Sequence, residues 1–166
     1  MVARWSKIGM VLCLAAFASL VAFTNVTDYG GNAPFVQHVL TMDTTFGDPA
    51  VAWRAIHAPW AWTAGYWLII AGETVTALLF AAAGLRMLGA RNASPADFDR
   101  AKSLVHLGAL AGFLVWFLGF MAVGGEWFLM WQSPTWNGQE PAFRFYVTIL
   151  LVLLYVTRPE PRPDPD

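Results

Sequence analysis

Four long apolar segments constrain the fold of this 166-residue chain more than any other feature. They span residues 8–26, 60–85, 104–124 and 143–157. A helix needs about 20 apolar residues to cross a hydrocarbon core roughly 30 Å thick. The first three segments are about that long, whereas the fourth is marginal and must include Ala142–Tyr146 to span. Hydrophobic residues make up 57% of the chain and charged residues only 13%, whereas a soluble domain carries roughly a quarter charged residues.

We therefore predict an all-α membrane protein with four transmembrane helices in one domain, residues 1–157. The helices are expected at roughly residues 5–26, 60–88, 98–124 and 142–157, joined on one side by loops 27–59 and 125–141. Nearly every residue then lies in the bilayer or at its two surfaces, which leaves no length for a separate soluble catalytic domain. Residues 158–166 alternate proline with charge, so an extended, solvated tail is expected there.

The basic residues are sorted to one side of these helices. Arg54 and Arg144 lie on the side of the two loops, and the other eight of the ten Lys and Arg residues lie opposite, at positions 4, 7, 86, 91, 100, 102, 158 and 162. Basic residues concentrate in the cytoplasmic segments that flank transmembrane helices. Both termini are therefore expected in the cytoplasm, and loops 27–59 and 125–141 in the periplasm.

The first apolar segment also has features of a signal peptide. Arg4 and Lys7 precede it, and Ala16-Phe17-Ala18 is typical of a cleavage site. The apolar stretch continues past Ala18 to Phe23, which favours a retained helix.

Two local patterns predict helix starts outside the four segments. Asn32-Ala33-Pro34 begins a stretch with apolar residues at helical spacing, which predicts a short amphipathic helix on the membrane surface. Gln37, His38 and Asp43 would lie at its polar margin. Ser94, followed by Pro95 and Asp97, is expected to cap the third transmembrane helix at its cytoplasmic end.

Three stretches around the first loop resemble a known family. They are residues 25–29 (Asn-Val-Thr-Asp-Tyr), 35–46 (Phe-Val-Gln-His-Val-Leu-Thr-Met-Asp-Thr-Thr-Phe) and 53–56 (Trp-Arg-Ala-Ile). They are similar to the bacterial family of predicted small integral membrane proteins known as domain of unknown function 2165. The resemblance covers most of the chain, including the four-helix layout and the acidic residue in helix two. It implies a four-helix fold in a proteobacterial inner membrane and no mechanism, because the family has no established activity.

Glu73 is the only acidic residue deep within an apolar segment. Counted from Trp62 at 1.5 Å per residue, it lies about 16 Å deep, near the bilayer centre. A charged carboxylate there costs at least about 2.5–3.5 kcal/mol, so Glu73 is expected to be protonated, hydrogen-bonded or paired. Ser19, at a similar depth in helix one, is the expected partner. Glu73 is then a structural link between helices one and two, a contact with another subunit, or a proton carrier.

The histidines give little support for a metal or cofactor site. His38 and His57, with Asp43 and Asp48, offer the ligand types of an external zinc site, but histidines bonded to loop backbone are the favoured interpretation. His106 lies at the opposite end, so it cannot supply a second axial haem ligand at matching depth. The single cysteine, Cys13, excludes a disulfide within the chain. We predict no catalytic residue, no metal site and no cofactor.

The aromatic residues of the loops favour a binding role. Trp127 and Trp131 lie in the second periplasmic loop, where tryptophan anchors a protein at the interface and also suits a contact surface. Together with His38, Asp43 and His57 they are the candidate interaction residues.

The function that fits these features is a non-catalytic accessory subunit or assembly factor of a larger bacterial inner-membrane complex, respiratory or photosynthetic. Its expected partners are the lipid bilayer and other integral membrane subunits, not nucleic acid. The alternative is a small proton-linked transporter or channel that uses Glu73. A membrane enzyme or quinone-binding redox protein that uses the outer histidines has the least support.

Overall fold

The computed structural model describes residues 1–160, which contain helices and no strand. Four helical stretches are long and apolar enough to cross a membrane, which confirms the predicted all-α membrane fold. They are α1 (Val2–Thr27), α3 (Pro59–Gly89), the stretch Pro95–Trp127, and α6 (Gln139–Val156). Residues 161–166 of the predicted tail lie outside the described residues.

A further helix, α2 (Tyr29–Thr41), follows α1 after the single residue Asp28. It starts three residues before the predicted Asn32 and contains Pro34. Its buried residues Val36 and Val39 face the bundle, and a Cβ at Gly65 of α3 would lie 3.3 Å from Val36. The short 3₁₀ turn Ala52–Arg54 then leads to α3. α2 is therefore packed along the first half of α3, beyond the end of α1.

The third span changes its helical geometry along its length. Ser94 caps it as predicted, since its Oγ accepts a 3.2 Å hydrogen bond from the Asp97 N–H. α4 (Pro95–Ala101) and α5 (Ser103–Phe113) meet at Lys102, and α5 continues as a π-helix over Leu114–Trp127. Its backbone bonds reach five residues back, as from the Phe128 N–H to the Val123 carbonyl at 3.1 Å. Long π-helical stretches are rare, and the sequence did not predict this one.

Small residues let the long helices approach closely. A Cβ at Gly84 of α3 would overlap the side chain of Leu12 in α1, and one at Gly108 of α5 would lie 2.8 Å from Phe80. Large side chains fill the remaining space in the centre of the bundle. The most completely buried are Ile8, Val11, Phe80, Met87, Phe98, Val105, Trp116, Ile149 and Val156.

The bundle has two distinct ends. The basic end contains residues 1–7, the connection 90–94 and residues 157–160. The loop end contains residues 28–58 and 127–138.

Candidate functional site

Glu73 is buried on the face of α3 that meets α1, with 2% of its surface exposed. Its Oε2 accepts a 2.8 Å hydrogen bond from Nδ2 of Asn25, two residues before the end of α1. Tyr66, two turns earlier on α3, donates its hydroxyl to the Asn25 carbonyl at 2.8 Å. That carbonyl belongs to the last turn of α1, where carbonyls lack partners within the helix. The three side chains therefore fix the end of α1 against the middle of α3.

The predicted partner of Glu73 was wrong. Ser19 is exposed on the outside of α1 and makes no hydrogen bond to Glu73 within the described residues. Counting residues from the helix ends assumes that α1 and α3 start and stop at the same levels. α3 instead extends beyond α1 at the loop end, so Asn25 lies opposite Glu73.

The structure brings two of the predicted loop residues together. His38 Nδ1 lies 2.8 Å from Asp43 Oδ2, and the His38 ring stacks on Trp136 with centroids 4.6 Å apart and planes 11° apart. Met42, at φ 54°, ends α2 in the left-handed region and turns the chain so that Asp43 returns to His38. The stacking of Trp136 on His38 was not predicted, because nothing local in the sequence links these two residues.

The predicted tryptophans join the two loops. Trp127 packs at right angles to Trp53, with ring centroids 5.7 Å apart, and Trp131 packs in the same way on Phe46 at 5.8 Å. Two hydrogen bonds also cross between the loops, from Thr44 Oγ1 to Ser133 Oγ at 2.8 Å and from the Phe46 N–H to Gln132 Oε1 at 3.0 Å. The loop end is one connected surface.

Arg54 occupies this surface in an arrangement that the sequence did not predict. Its guanidinium lies over the rings of Trp53 and Trp127, 5.7 and 5.0 Å from their centroids. Nη1 donates one long hydrogen bond, 3.4 Å, to the Trp127 carbonyl, and Nε is buried without a partner among residues 1–160. No carboxylate of residues 1–160 pairs with it.

His57 does not join the other candidates. It is exposed just before α3 and makes no side-chain hydrogen bond within the described range. Residues 1–160 contain no group of three or more His, Cys, Asp or Glu side chains that is arranged to hold a metal ion. The external zinc site that combines His38, His57, Asp43 and Asp48 is therefore not formed.

Comparison with known proteins gives one result that covers nearly the whole chain. Residues 3–159 match the model of the family described as predicted small integral membrane protein (DUF2165). The chain belongs to this family. No curated protein matches it, and no solved structure does.

This DUF2165 chain also has a buried ionic cluster at its basic end. Glu160 accepts hydrogen bonds from Lys7 Nζ at 2.7 Å and Arg4 Nε at 3.1 Å. Lys102 Nζ lies 2.6 Å from Asp99 Oδ1 and 3.6 Å from Glu160 Oε1. The expectation of a solvated tail is thus wrong at Glu160, whose side chain is only 7% exposed.

The cluster joins four parts of this DUF2165 chain. Lys7 and Lys102 both donate to the Arg158 carbonyl, at 2.8 and 2.9 Å. Arg4 donates to the carbonyls of Arg91 and Ala93, each at 2.8 Å. The cations thereby hold the start of α1, the connection after α3, the α4–α5 junction and the end of α6 in one place.

Burial and hydrogen bonding act in opposite directions on the cluster's carboxylate. Burial raises the pKa of Glu160, but the hydrogen bonds from Lys7 and Arg4 outweigh it and hold the pKa below its ordinary value. Glu160 is therefore ionised in the folded protein at neutral pH.

Proposed function

We propose that this protein is a non-catalytic accessory subunit or assembly factor of a larger bacterial inner-membrane complex, respiratory or photosynthetic. The observation that carries the proposal is a groove of about 720 Å³ between α1 and α6. The protein's termini lie in the cytoplasm and its loop end lies in the periplasm, because eight of the ten basic residues flank the basic end.

The groove is closed at both ends and open between them. Phe17 and Phe145 meet edge to face at the loop end, with centroids 4.8 Å apart, and Ser6 and Tyr155 share a 2.7 Å hydrogen bond at the basic end. Part of the wall between them is formed by the small residues Gly9, Cys13 and Thr148. Larger side chains line the rest, namely Met10, Leu14, Arg144, Ile149 and Val152.

Such a surface suits a helix of another membrane protein. Helices associate in a bilayer through van der Waals packing, and small residues let two backbones approach closely. Nothing among residues 1–160 lies within 4 Å of a Cβ placed at Gly9, so the described part of the chain leaves that position open. The side chains of a partner helix would fill the groove.

The loop end offers a second contact for the same partner complex. Its exposed aromatic side chains are Phe46, Trp53, Trp127 and Trp131. These rings pack edge to face in two pairs, Phe46 on Trp131 and Trp53 on Trp127, so less conformational entropy is lost when a partner binds. Tryptophan and phenylalanine are enriched in the buried centre of protein interfaces.

The alternative, a proton-linked transporter, has one supporting observation, the burial of Glu73 inside the bundle. Neither the α1–α6 groove nor the cavity described below includes Glu73 in its lining. Its partner is a neutral amide, which suits a structural bond better than a proton path. The accessory role is therefore preferred.

The test is purification from native membranes in mild detergent or polymer. Wild type is expected in a stoichiometric complex with larger membrane proteins. Gly9→Leu should lose those proteins and remain folded, because the added side chain projects into the groove. Gly89→Leu is the matched control, since it also has open space around its Cβ but lies outside the groove. Recovery of wild type as a monomer or homo-oligomer alone would contradict the proposal.

A further inference from the structure

A second cavity, of about 660 Å³, lies between α2, α3 and the π-helix. Glycines at positions 65, 72, 119 and 124 contribute no side chain to its wall, which leaves the space open. Its volume lies within the range of about 300–1,000 Å³ that is typical of small-molecule sites.

The apolar wall of this cavity favours a hydrocarbon ligand. All twenty lining residues are apolar side chains or glycine. Sites for polar ligands carry a few polar groups that fix orientation, and this wall offers no polar side chain. A flexible alkyl chain from the surrounding bilayer meets its requirements.

The loop-end boundary of the cavity is next to Arg54. Val39, Phe128 and Met130 line the cavity and also form the buried cluster on which Ala55 packs. Arg54 precedes Ala55, and its Nη1 contacts the carbonyl of Trp127, the neighbour of Phe128. A cation with a single long hydrogen bond and no acidic partner in residues 1–160 is therefore held at the end of an apolar cavity.

We propose that this site binds one glycerophospholipid, with an acyl chain in the cavity and the phosphate on the Arg54 guanidinium. The planar guanidinium matches phosphate oxygens and forms strong charge-assisted hydrogen bonds with them. Trp53 and Trp127 flank Arg54, and tryptophan is enriched at the level of lipid headgroups. The cation thus lies beside the apolar cavity, as the phosphate of a phospholipid lies beside its acyl chains.

The experiment titrates detergent-purified protein with dioleoylphosphatidylglycerol and, in parallel, with dioleoylglycerol, and counts bound lipid by native mass spectrometry. Wild type should bind one phosphatidylglycerol tightly. Arg54→Gln should lower that affinity about tenfold, the loss expected for one hydrogen bond to a charged group. It should leave dioleoylglycerol binding unchanged, because that lipid has no phosphate.

Two variants test the cavity from different helices. Gly119→Leu and Ala71→Phe should each lower binding of both lipids, since their side chains enter the space for the acyl chain. A Cβ at Gly119 has only ordinary contact, 3.7 Å, with the Leu114 carbonyl, and Ala71 is exposed, so both changes are compatible with folding.

Arg144→Gln is the matched charge control at the same end, where Arg144 pairs with Glu140. It should bind phosphatidylglycerol like wild type. The proposal is overturned if wild type shows no saturable phospholipid binding. It is also overturned if Arg54→Gln binds phosphatidylglycerol normally, if Arg144→Gln loses as much affinity as Arg54→Gln, or if neither cavity variant weakens binding.

Discussion

Asn25 donates a 2.8 Å hydrogen bond to Glu73 from a position only two residues before α1 ends. The same residue accepts, through its carbonyl, a hydrogen bond from Tyr66. These two hydrogen bonds therefore connect one face of α3 to the last turn of α1. They place a carboxyl group inside the bundle without a cation beside it, among the described residues.

The first prediction concerns the acceptor in this bond. Glu73→Gln keeps a side-chain carbonyl for the Asn25 amide, so stability and assembly should be close to those of wild type. Glu73→Leu removes the acceptor and should destabilise the protein by roughly 1 kcal/mol, the order of an intramembrane hydrogen bond. The melting temperature of the detergent-solubilised protein measures both effects.

Asn25→Leu should reproduce the loss seen with Glu73→Leu, and the double variant should lose less than the sum of the two, because both substitutions remove the same bond. Ser19→Ala is the control and should melt like wild type, since Ser19 is exposed. A Leu variant that assembles normally, combined with loss of proton flux in both Glu73 variants, would favour the transporter instead.

The second prediction concerns the cluster at the basic end. Glu160→Gln leaves Arg4, Lys7 and Lys102 with only Asp99 as a counter-charge, so the protein should lose about 3 kcal/mol of stability, as when one partner of a buried pair is removed. Thermal unfolding in detergent measures the loss. Glu140→Gln is the matched control, because the Glu140–Arg144 pair is largely exposed and such pairs contribute little. Equal melting temperatures for both variants would contradict the prediction.

The third prediction is a loss of stability in acid. A carboxylate whose pKa is lower in the folded than in the unfolded protein stabilises the fold fully above its unfolded pKa, about 4.3 for Glu. That stabilisation disappears as pH falls through the lower pKa of folded Glu160. Melting temperatures of wild type and Glu160→Gln should therefore differ most at neutral pH and converge below about pH 4. A difference that stays constant down to pH 3 would show that Glu160 does not titrate with unfolding.

The fourth prediction is the orientation in the membrane. A reporter fused to the C-terminus should be active only in the cytoplasm, and one inserted at the exposed Gly47 of the loop end only in the periplasm. The two reporters must give opposite results if four helices cross the bilayer. A C-terminus in the periplasm would contradict both the orientation and the proposed sidedness of the Arg54 site.

The sequence predicted the features that depend on residues close to one another in the chain. Apolar length identified the four spans, and the Ser94–Pro95–Asp97 pattern identified a helix start. The partners of Glu73 and Glu160 could not be predicted, because each lies at least 48 positions away and depends on how far one helix extends past another. Trp127 and Trp131 were found as aromatic loop residues, whereas the position of Arg54 between two rings needed the folded loops.

The ionic cluster also has a consequence for how the protein is made. Lys7 and Glu160 are 153 positions apart, so Lys7 leaves the ribosome long before Glu160. Until Glu160 is synthesised, Arg4 and Lys7 lack the carboxylate that they pair with in the folded protein. A chain that lacks Glu160 would keep its four helices but leave Arg4 and Lys7 without their carboxylate partner. Closure of the basic end can therefore only follow the synthesis of all four membrane-spanning helices, since α6 precedes Glu160 in the chain.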